Sequence, residues 1–126
     1  MKRTVGEIMT REVVTAPTDA QVREVAKDMA KRKISCVLIV AGGKPIGILT
    51  ERDIVRLVAT KPNLLVGLTA QEAMTTPVAT LTIDTPLSVA IAKMKDHRHR
   101  RYPIVNDDGK LIGLVTQTNL LHALGG

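Results

Sequence analysis

An internal repeat with a period of about 65 residues constrains this 126-residue chain more than any other feature. Residues 7–10 (Glu-Ile-Met-Thr) recur as residues 72–75 (Glu-Ala-Met-Thr), and residues 47–53 recur as residues 113–119 after one inserted residue. A unit of about 60 residues has a poor ratio of volume to surface, so each copy alone would be only marginally stable. We therefore expect two copies of one supersecondary unit that share a hydrophobic core.

Each copy has the same predicted order of elements, β-α-β-β-α, which places the chain in the α+β (α/β) class. The apolar residues of the first long helix follow the i, i+3, i+4, i+7 spacing of an amphipathic helix, and the second copy repeats that spacing. The first helix carries Val22, Val25, Ala26 and Met29, and the second carries Leu87, Ala90, Ile91 and Met94.

The remaining boundaries follow from turn and cap residues. Thr85 and Pro86 predict the start of the second long helix, with Thr85 as N-cap and Pro86 at the first helical position. The repeat predicts one copy over residues 5–60, a connector over residues 61–68 and a second copy over residues 69–124. Predicted extended segments lie at 13–15 and 78–80, hairpins at 37–49 and 102–115, and closing helices at 51–59 and 117–124.

Composition excludes several classes of protein. The longest apolar run is far short of a membrane span and the first residues lack the apolar stretch of a secretory signal, so we expect a cytoplasmic protein without membrane association. A single cysteine, Cys36, and three scattered histidines indicate no metal site, and Cys36 is predicted to be a buried strand residue. The net charge of +6 favours anionic partners, whereas the absence of Phe and Trp argues against an aromatic platform for nucleic acid.

The junction between the first hairpin and its closing helix carries the clearest candidate for a binding site. Gly47 permits a close backbone approach. Thr50 and Asp53 have the spacing of a capping box at a helix N-terminus, which also presents unpaired N–H groups. The spacing is compatible with two roles: a helix cap alone, or a carboxylate that accepts hydrogen bonds from a ribose diol.

The doubled pattern resembles the CBS (cystathionine-β-synthase) domain family, in particular the tandem pair called a Bateman module. The resemblance covers residues 5–124 and depends on Met-Thr, Val-x-Thr, an amphipathic helix and Gly-apolar-apolar-Thr-x-x-Asp, which recur in the same order in the second copy except that Asn replaces the final Asp. It implies two repeats packed through their sheets with pseudo-two-fold symmetry. It also implies two clefts that bind adenine nucleotides (AMP, ADP or ATP) or, in some members, S-adenosylmethionine, with no cofactor required.

The resemblance also implies roles for individual residues. Asp53 would accept hydrogen bonds from the ribose, with Thr50 beside it, and Thr116 and Asn119 are their counterparts in the second copy. Arg100 and Arg101 would face the phosphates. The remaining candidates border the adenine or continue the adjoining strand: Thr15, Ala16, Thr80, Tyr102 and Pro103.

The second copy departs from the family pattern in two ways. Asn119 replaces the carboxylate, and an amide accepts a hydrogen bond without charge, so we expect the Asp53 site to bind nucleotide more tightly. Residues 97–101 form a basic run whose counterpart in the first copy is much less basic. Arg100 and Arg101 are predicted to contact phosphate, and Arg98 is a weaker candidate.

The resemblance implies a regulatory adenine-nucleotide sensor that acts as a homodimer on an unidentified effector protein. Three alternatives stay open: an S-adenosylmethionine sensor, a basic nucleic-acid-binding protein, and a structural dimerisation module with empty clefts. The sequence contains no supported catalytic set, so an enzyme is not expected.

Overall fold

The computed structural model describes residues 3–97 and 99–125, without the side chains at positions 64 and 65. The chain forms two compact units. The first unit is Val14–Val78, and the second unit comprises the described parts of Met1–Val13 and Ala79–Gly126. Each unit contains a three-stranded sheet with helices, so the mixed α+β class predicted from the repeat is confirmed. Arg98, in the basic run, lies outside the described residues.

The first unit is built on a sheet with the order β1-β2-β3. β1 (Thr15–Pro17) runs parallel to β2 (Cys36–Ala41), which pairs antiparallel with β3 (Lys44–Thr50). α2 (Val22–Arg32) connects β1 to β2, and α3 (Glu51–Thr60) follows β3 directly. Helix and sheet bury an apolar core because their apolar residues repeat with the helical and strand periods. The buried residues of this core are Val22, Val25, Met29, Val37, Ile39, Leu49 and Ala70.

The second unit repeats this construction with the sheet order β4-β5-β6. β4 (Leu81–Thr82) is parallel to β5 (Arg101–Val105), and β5 is antiparallel to β6 (Leu111–Thr116). α5 (Leu87–His97) connects β4 to β5, and α6 (Gln117–Gly125) follows β6. The buried core consists of Val5, Met9, Leu81, Leu87, Ala90, Tyr102, Ile104, Val115 and Leu120.

The two compact units do not coincide with the two sequence copies. The Met-Thr segment that opens the first copy, with the short helix α1 (Val5–Ile8), belongs to the second unit, where Thr10 forms a β-bridge with Leu114. The segment that opens the second copy, with the short helix α4 (Ala70–Ala73), belongs to the first unit. There Thr75 forms a β-bridge with Ile48. Each unit therefore completes its core with the opening segment of the other copy.

Glycine makes room for these exchanged segments. A Cβ atom placed on Gly47 would collide with the Met74 side chain, and one placed on Gly113 would collide with Met9. At Gly47, where a close backbone approach was predicted, the close neighbour is thus the Met74 side chain. Met9 is buried in the core of its unit and Met74 packs half-buried against the other core, as expected for methionines that fill irregular gaps.

The first strand of each copy begins later than predicted. β1 starts at Thr15 rather than at residue 13, and β4 starts at Leu81, beyond the predicted segment 78–80. Pairing decides these boundaries, because the parallel ladders begin at Thr15 opposite Leu38 and at Leu81 opposite Ile104.

The start of α5 also differs from the prediction. Pro86 precedes the helix instead of occupying its first position, and its carbonyl accepts the N–H groups of Val89 (3.0 Å) and Ala90 (3.2 Å). Pro86, not Thr85, therefore holds the N-cap position. Pro86 forms a β-bridge with Thr4, and the helix begins at the next residue, Leu87.

The connector between the copies is partly helical. A 3-10 helix, Pro62–Leu65, follows α3, with Pro62 in its first turn. Proline suits that place because the first N–H groups of a helix have no internal partner.

Candidate functional site

One edge of the sheet in the first unit gathers most of the residues predicted there. Because β1 and β2 are parallel and β3 is antiparallel to them, the starts of β1 and β2 and the end of β3 lie at the same edge. Thr15 begins β1, Cys36 begins β2, and Thr50 ends β3 opposite Cys36. Cys36 is half-buried, not buried as predicted, because it stands at this edge.

Thr50 and Asp53 form a reciprocal capping box at the N-terminus of α3. The Asp53 carboxylate oxygen Oδ2 accepts hydrogen bonds from the Thr50 N–H and the Thr50 hydroxyl, each at 2.9 Å. In return, the Asp53 N–H donates to Thr50 Oγ1 at 3.2 Å. These bonds hold the carboxylate in one orientation and satisfy two N–H groups at the helix end.

The other carboxylate oxygen of Asp53 points away from the box. Among the residues that the structure describes, its Oδ1 accepts only a long hydrogen bond, 3.4 Å, from the hydroxyl of Thr75. Thr75 reaches this place because its backbone pairs with Ile48 on β3, through bonds of 2.9 and 3.1 Å. Thr75 is not among the site residues predicted from the sequence. Its duplication with Thr10 at matching positions was the one sequence signal for a larger role.

The second unit builds the same box with an amide in place of the carboxylate. Asn119 Oδ1 accepts hydrogen bonds from the Thr116 N–H at 2.9 Å and from its hydroxyl at 3.0 Å. The Asn119 N–H donates to Thr116 Oγ1 at 3.1 Å. A backbone N–H can only donate, so the atom that receives it must be the amide oxygen. The remaining terminal atom of Asn119 is therefore the NH₂ group, which can only donate.

Arg100 and Arg101 lie at the corresponding edge of the second sheet. Arg101 begins β5 and pairs across the ladder with Thr116, as Cys36 pairs with Thr50 in the first unit. The carbonyl of Arg100 accepts the N–H of Gln117, the first residue of α6, at 2.9 Å. Thr80 stands directly before β4 and is exposed. The structure thus brings both arginines, Thr116 and Asn119 to a single edge, whereas Thr80 precedes a strand whose first residue, Leu81, pairs with Ile104 farther along β5.

Three predicted site residues have side chains that are wholly or partly buried. Tyr102 is 2% exposed, its hydroxyl donates to the Lys93 carbonyl at 3.3 Å, and burial raises the pKa of its phenol. Pro103 is fully buried, and Ala16 packs against the core of the first unit. Alternation along a strand explains the placing of Tyr102, because every second side chain faces the helices. The buried side chains of Tyr102 and Pro103 leave only the backbone for a ligand at those two positions.

The buried position of Tyr102 bears on base recognition as well. It is the only Phe, Trp or Tyr residue in the sequence, and a core side chain offers no face for a base to stack on. In the described parts of the chain, no group of three or more His, Cys, Asp or Glu side chains could hold a metal ion. None of the helices described is both long and apolar enough to cross a bilayer.

Comparison with known proteins identifies the family. The CBS domain model matches the chain twice, over residues 5–60 and 70–126. The chain therefore belongs to the CBS domain family and carries a tandem pair of these domains.

Relatives extend beyond the region they share with this chain. An uncharacterized protein of Methanopyrus kandleri is 41% identical over 120 residues, which is 94% of this chain and 61% of that relative. Some relatives have enzyme names, and the chain spans only 23% or 24% of their length. The match to those enzymes is thus confined to one part of each.

Two similar solved structures contain ligands. The CBS domain pair of protein MJ0100, in complex with 5′-methylthioadenosine and S-adenosyl-L-methionine, matches with a TM-score of 0.87 and 29% identity over 100% of this chain and 98% of that one. CBSX2, in complex with AMP, matches with a TM-score of 0.82 and 25% identity over 96% of this chain and 95% of that one. CBS pairs similar to this chain therefore bind adenosine-containing ligands.

Proposed function

We propose that this chain is a regulatory module that binds an adenine nucleotide (AMP, ADP or ATP) at the sheet edge of the first unit and signals its presence to a separate effector protein. The observation that carries the proposal is the Asp53 carboxylate. One of its oxygens is held in the capping box, and the other accepts a 3.4 Å bond from Thr75 and no further bond from the described part of the chain. A ligand hydroxyl can replace so long a bond at little cost.

The ligands of the similar structures share the group that such a carboxylate would bind. AMP, 5′-methylthioadenosine and S-adenosylmethionine differ at the 5′ position, but each keeps a ribose with free 2′ and 3′ hydroxyls. A fixed carboxylate oxygen accepts hydrogen bonds from such a diol. This chemistry supports a ribose-binding role for Asp53, with Thr50 holding it in place and Thr15 nearby at the same edge. It also keeps S-adenosylmethionine as a second candidate ligand.

Exposed apolar side chains support the proposal that the module acts as a homodimer. Val55 and Val58 lie one turn apart on α3 in the first unit, and Leu121 and Leu124 lie one turn apart on α6 in the second unit. All four are more than half exposed. A second copy of the chain would remove this apolar surface from water.

A thermal-shift panel with a matched variant tests the proposed function. The panel contains adenosine, AMP, ADP, ATP, S-adenosylmethionine, GMP and a short RNA. A ligand present at about 100 times its Kd stabilises the folded state by about 2.7 kcal/mol. For a chain of this size that is a rise in Tm on the order of 10 °C. We expect adenosine-containing ligands to raise Tm and GMP to raise it less.

The control is Asp53→Asn, which keeps an oxygen for the capping box, as Asn119 does in the second unit. We expect this variant to fold like the parent chain and to lose about tenfold in affinity for adenosine, because a charged acceptor is replaced. A flat response of the parent chain to every adenine compound would reject the proposed function. A response to RNA alone, steeply weakened by salt, would favour nucleic-acid binding instead.

A further inference from the structure

Asp53 and Asn119 occupy equivalent places in equivalent capping boxes, but they present opposite hydrogen-bonding groups to their surroundings. In both boxes one side-chain oxygen accepts the N–H and the hydroxyl of the threonine three residues earlier, within 2.9–3.0 Å. The second atom is a carboxylate oxygen in Asp53 and, because the oxygen of Asn119 is already engaged, an NH₂ group in Asn119. The first site can therefore accept hydrogen bonds from a ligand where the second can only donate them.

The charges around the two boxes differ in the same direction. In the first unit, Ser35, which precedes β2, and Cys36, which begins it, are neutral. The first three residues of α3 are Glu51, Arg52 and Asp53, with a net formal charge of −1. The corresponding residues of the second unit carry two positive charges and no negative one: Arg100, Arg101, Gln117, Thr118 and Asn119. A site with donors and positive charge favours groups that accept hydrogen bonds and carry negative charge.

We infer that Asn119 is a specificity-determining residue, which makes the second site bind a ribose diol more weakly than the first site and favour a phosphate group at this position. The two sites of the module then hold different parts of their ligands against the helix: a diol at Asp53 and a phosphate at Asn119. This inference rests on the proposed function, because it assigns ligand chemistry to the second of the two proposed sites.

Reciprocal substitutions test the inference with site-resolved probes. Backbone amide signals of Thr50 and Asp53 report on the first site in NMR titrations, and those of Thr116 and Asn119 report on the second. Adenosine is the probe for a diol without phosphate, and inorganic pyrophosphate is the probe for phosphate without a diol. In the parent chain we expect adenosine to shift the first pair of signals and pyrophosphate to shift the second pair.

The variant Asn119→Asp should reverse the preference of the second site. We expect adenosine to shift the Thr116 signal in this variant, and the affinity for pyrophosphate to fall about tenfold, because a charge-assisted donor is replaced by a like charge. Asp fits the same box in the first unit, so the variant keeps its helix cap. Asp53→Asn, the opposite exchange in the other unit, should raise about tenfold the adenosine concentration needed to shift the Thr50 signal and leave the second site unchanged.

The possible results distinguish failure of this inference from failure of the proposed function. If adenosine shifts both pairs of signals alike in the parent chain, or if Asn119→Asp changes neither probe, the inference is wrong while the proposed function stands. If pyrophosphate leaves the second pair unshifted in the parent chain, selection of phosphate is wrong. If no adenine compound shifts either pair, the proposed function fails and the inference fails with it.

Discussion

At the scale of single residues, the two candidate sites have the same backbone geometry but differ in one side-chain group, the carboxylate of Asp53 and the amide of Asn119. Thr50 and Thr116 cap their helices with the same geometry, and the residue three positions later returns a side-chain oxygen in both units. What differs is the terminal atom beyond the box, an oxygen in Asp53 and a nitrogen in Asn119. The spacing of residues predicts the box, but only the hydrogen bonds show which atom of the amide remains for a ligand.

Tyr102 provides a prediction at this scale, because it is the only tyrosine and its phenol is buried. Burial raises the pKa of Tyr102 above the ordinary value of about 10. Below about pH 10 the phenol is neutral in both the folded and the unfolded states, so its contribution to the free energy of unfolding is fully present. As pH rises above about 10, the unfolded chain releases the proton first, and the free energy of unfolding falls.

An alkaline titration followed by phenolate absorbance measures this pKa directly. We expect the folded chain to titrate above pH 10 and the denatured chain near 10. Tyr102→Phe should flatten the decline of stability above pH 10. Titration of the folded chain at its ordinary value would show that water reaches the phenol.

At the scale of elements, strand pairing and close packing decide what local preference leaves open. The helices α2 and α5 can be predicted from the spacing of their apolar residues. The starts of β1 and β4, in contrast, are set by where each strand begins to pair with its parallel neighbour. The Met-Thr segments pair with an edge strand of each sheet, and a glycine in that strand receives the methionine. Glycine in the middle of a strand normally weakens it, so its presence here reflects the space that the methionine needs.

Gly47→Ala tests this packing. The added Cβ collides with Met74, whose own Cβ lies 3.0 Å away, so the whole side chain must move. We expect a loss of about 1–3 kcal/mol in the free energy of unfolding, measured by denaturant titration. Gly125→Ala is the control, since nothing lies within 4 Å of that position. The double variant Gly47→Ala/Met74→Ala should cost less than the sum of its parts, and strict additivity would contradict the contact.

At the scale of the whole molecule, folding units and sequence copies are different divisions of the same chain. The first unit spans residues 14–78 and contains both its sheet and the segment around α4 that completes its core. The second unit needs Val5 and Met9 from the far end of the chain. A cut between the sequence copies therefore separates each sheet from part of its core.

Fragments of similar length test this division. A fragment of residues 14–78 keeps the backbone bonds of Thr75 to Ile48 and of Ala70 to Ala20. A fragment of residues 5–60 loses them and leaves Met9 without its core. We expect the first fragment to give a cooperative thermal transition by circular dichroism, and the second to melt without one or at a lower temperature. Equal or greater stability of the 5–60 fragment would contradict the division.

The sequence alone determined those features that depend on neighbours along the chain. The repeat, the order of elements, the amphipathic helices and the Thr50–Asp53 box all arise from contacts within a few residues, and spacing records such contacts directly. Tertiary structure alone decided which Met-Thr segment joins which sheet, that Tyr102 belongs to the core, and which atom of Asn119 faces outward. These outcomes depend on partners distant in sequence, or on the direction of one hydrogen bond, and neither leaves a periodic trace in the order of residues.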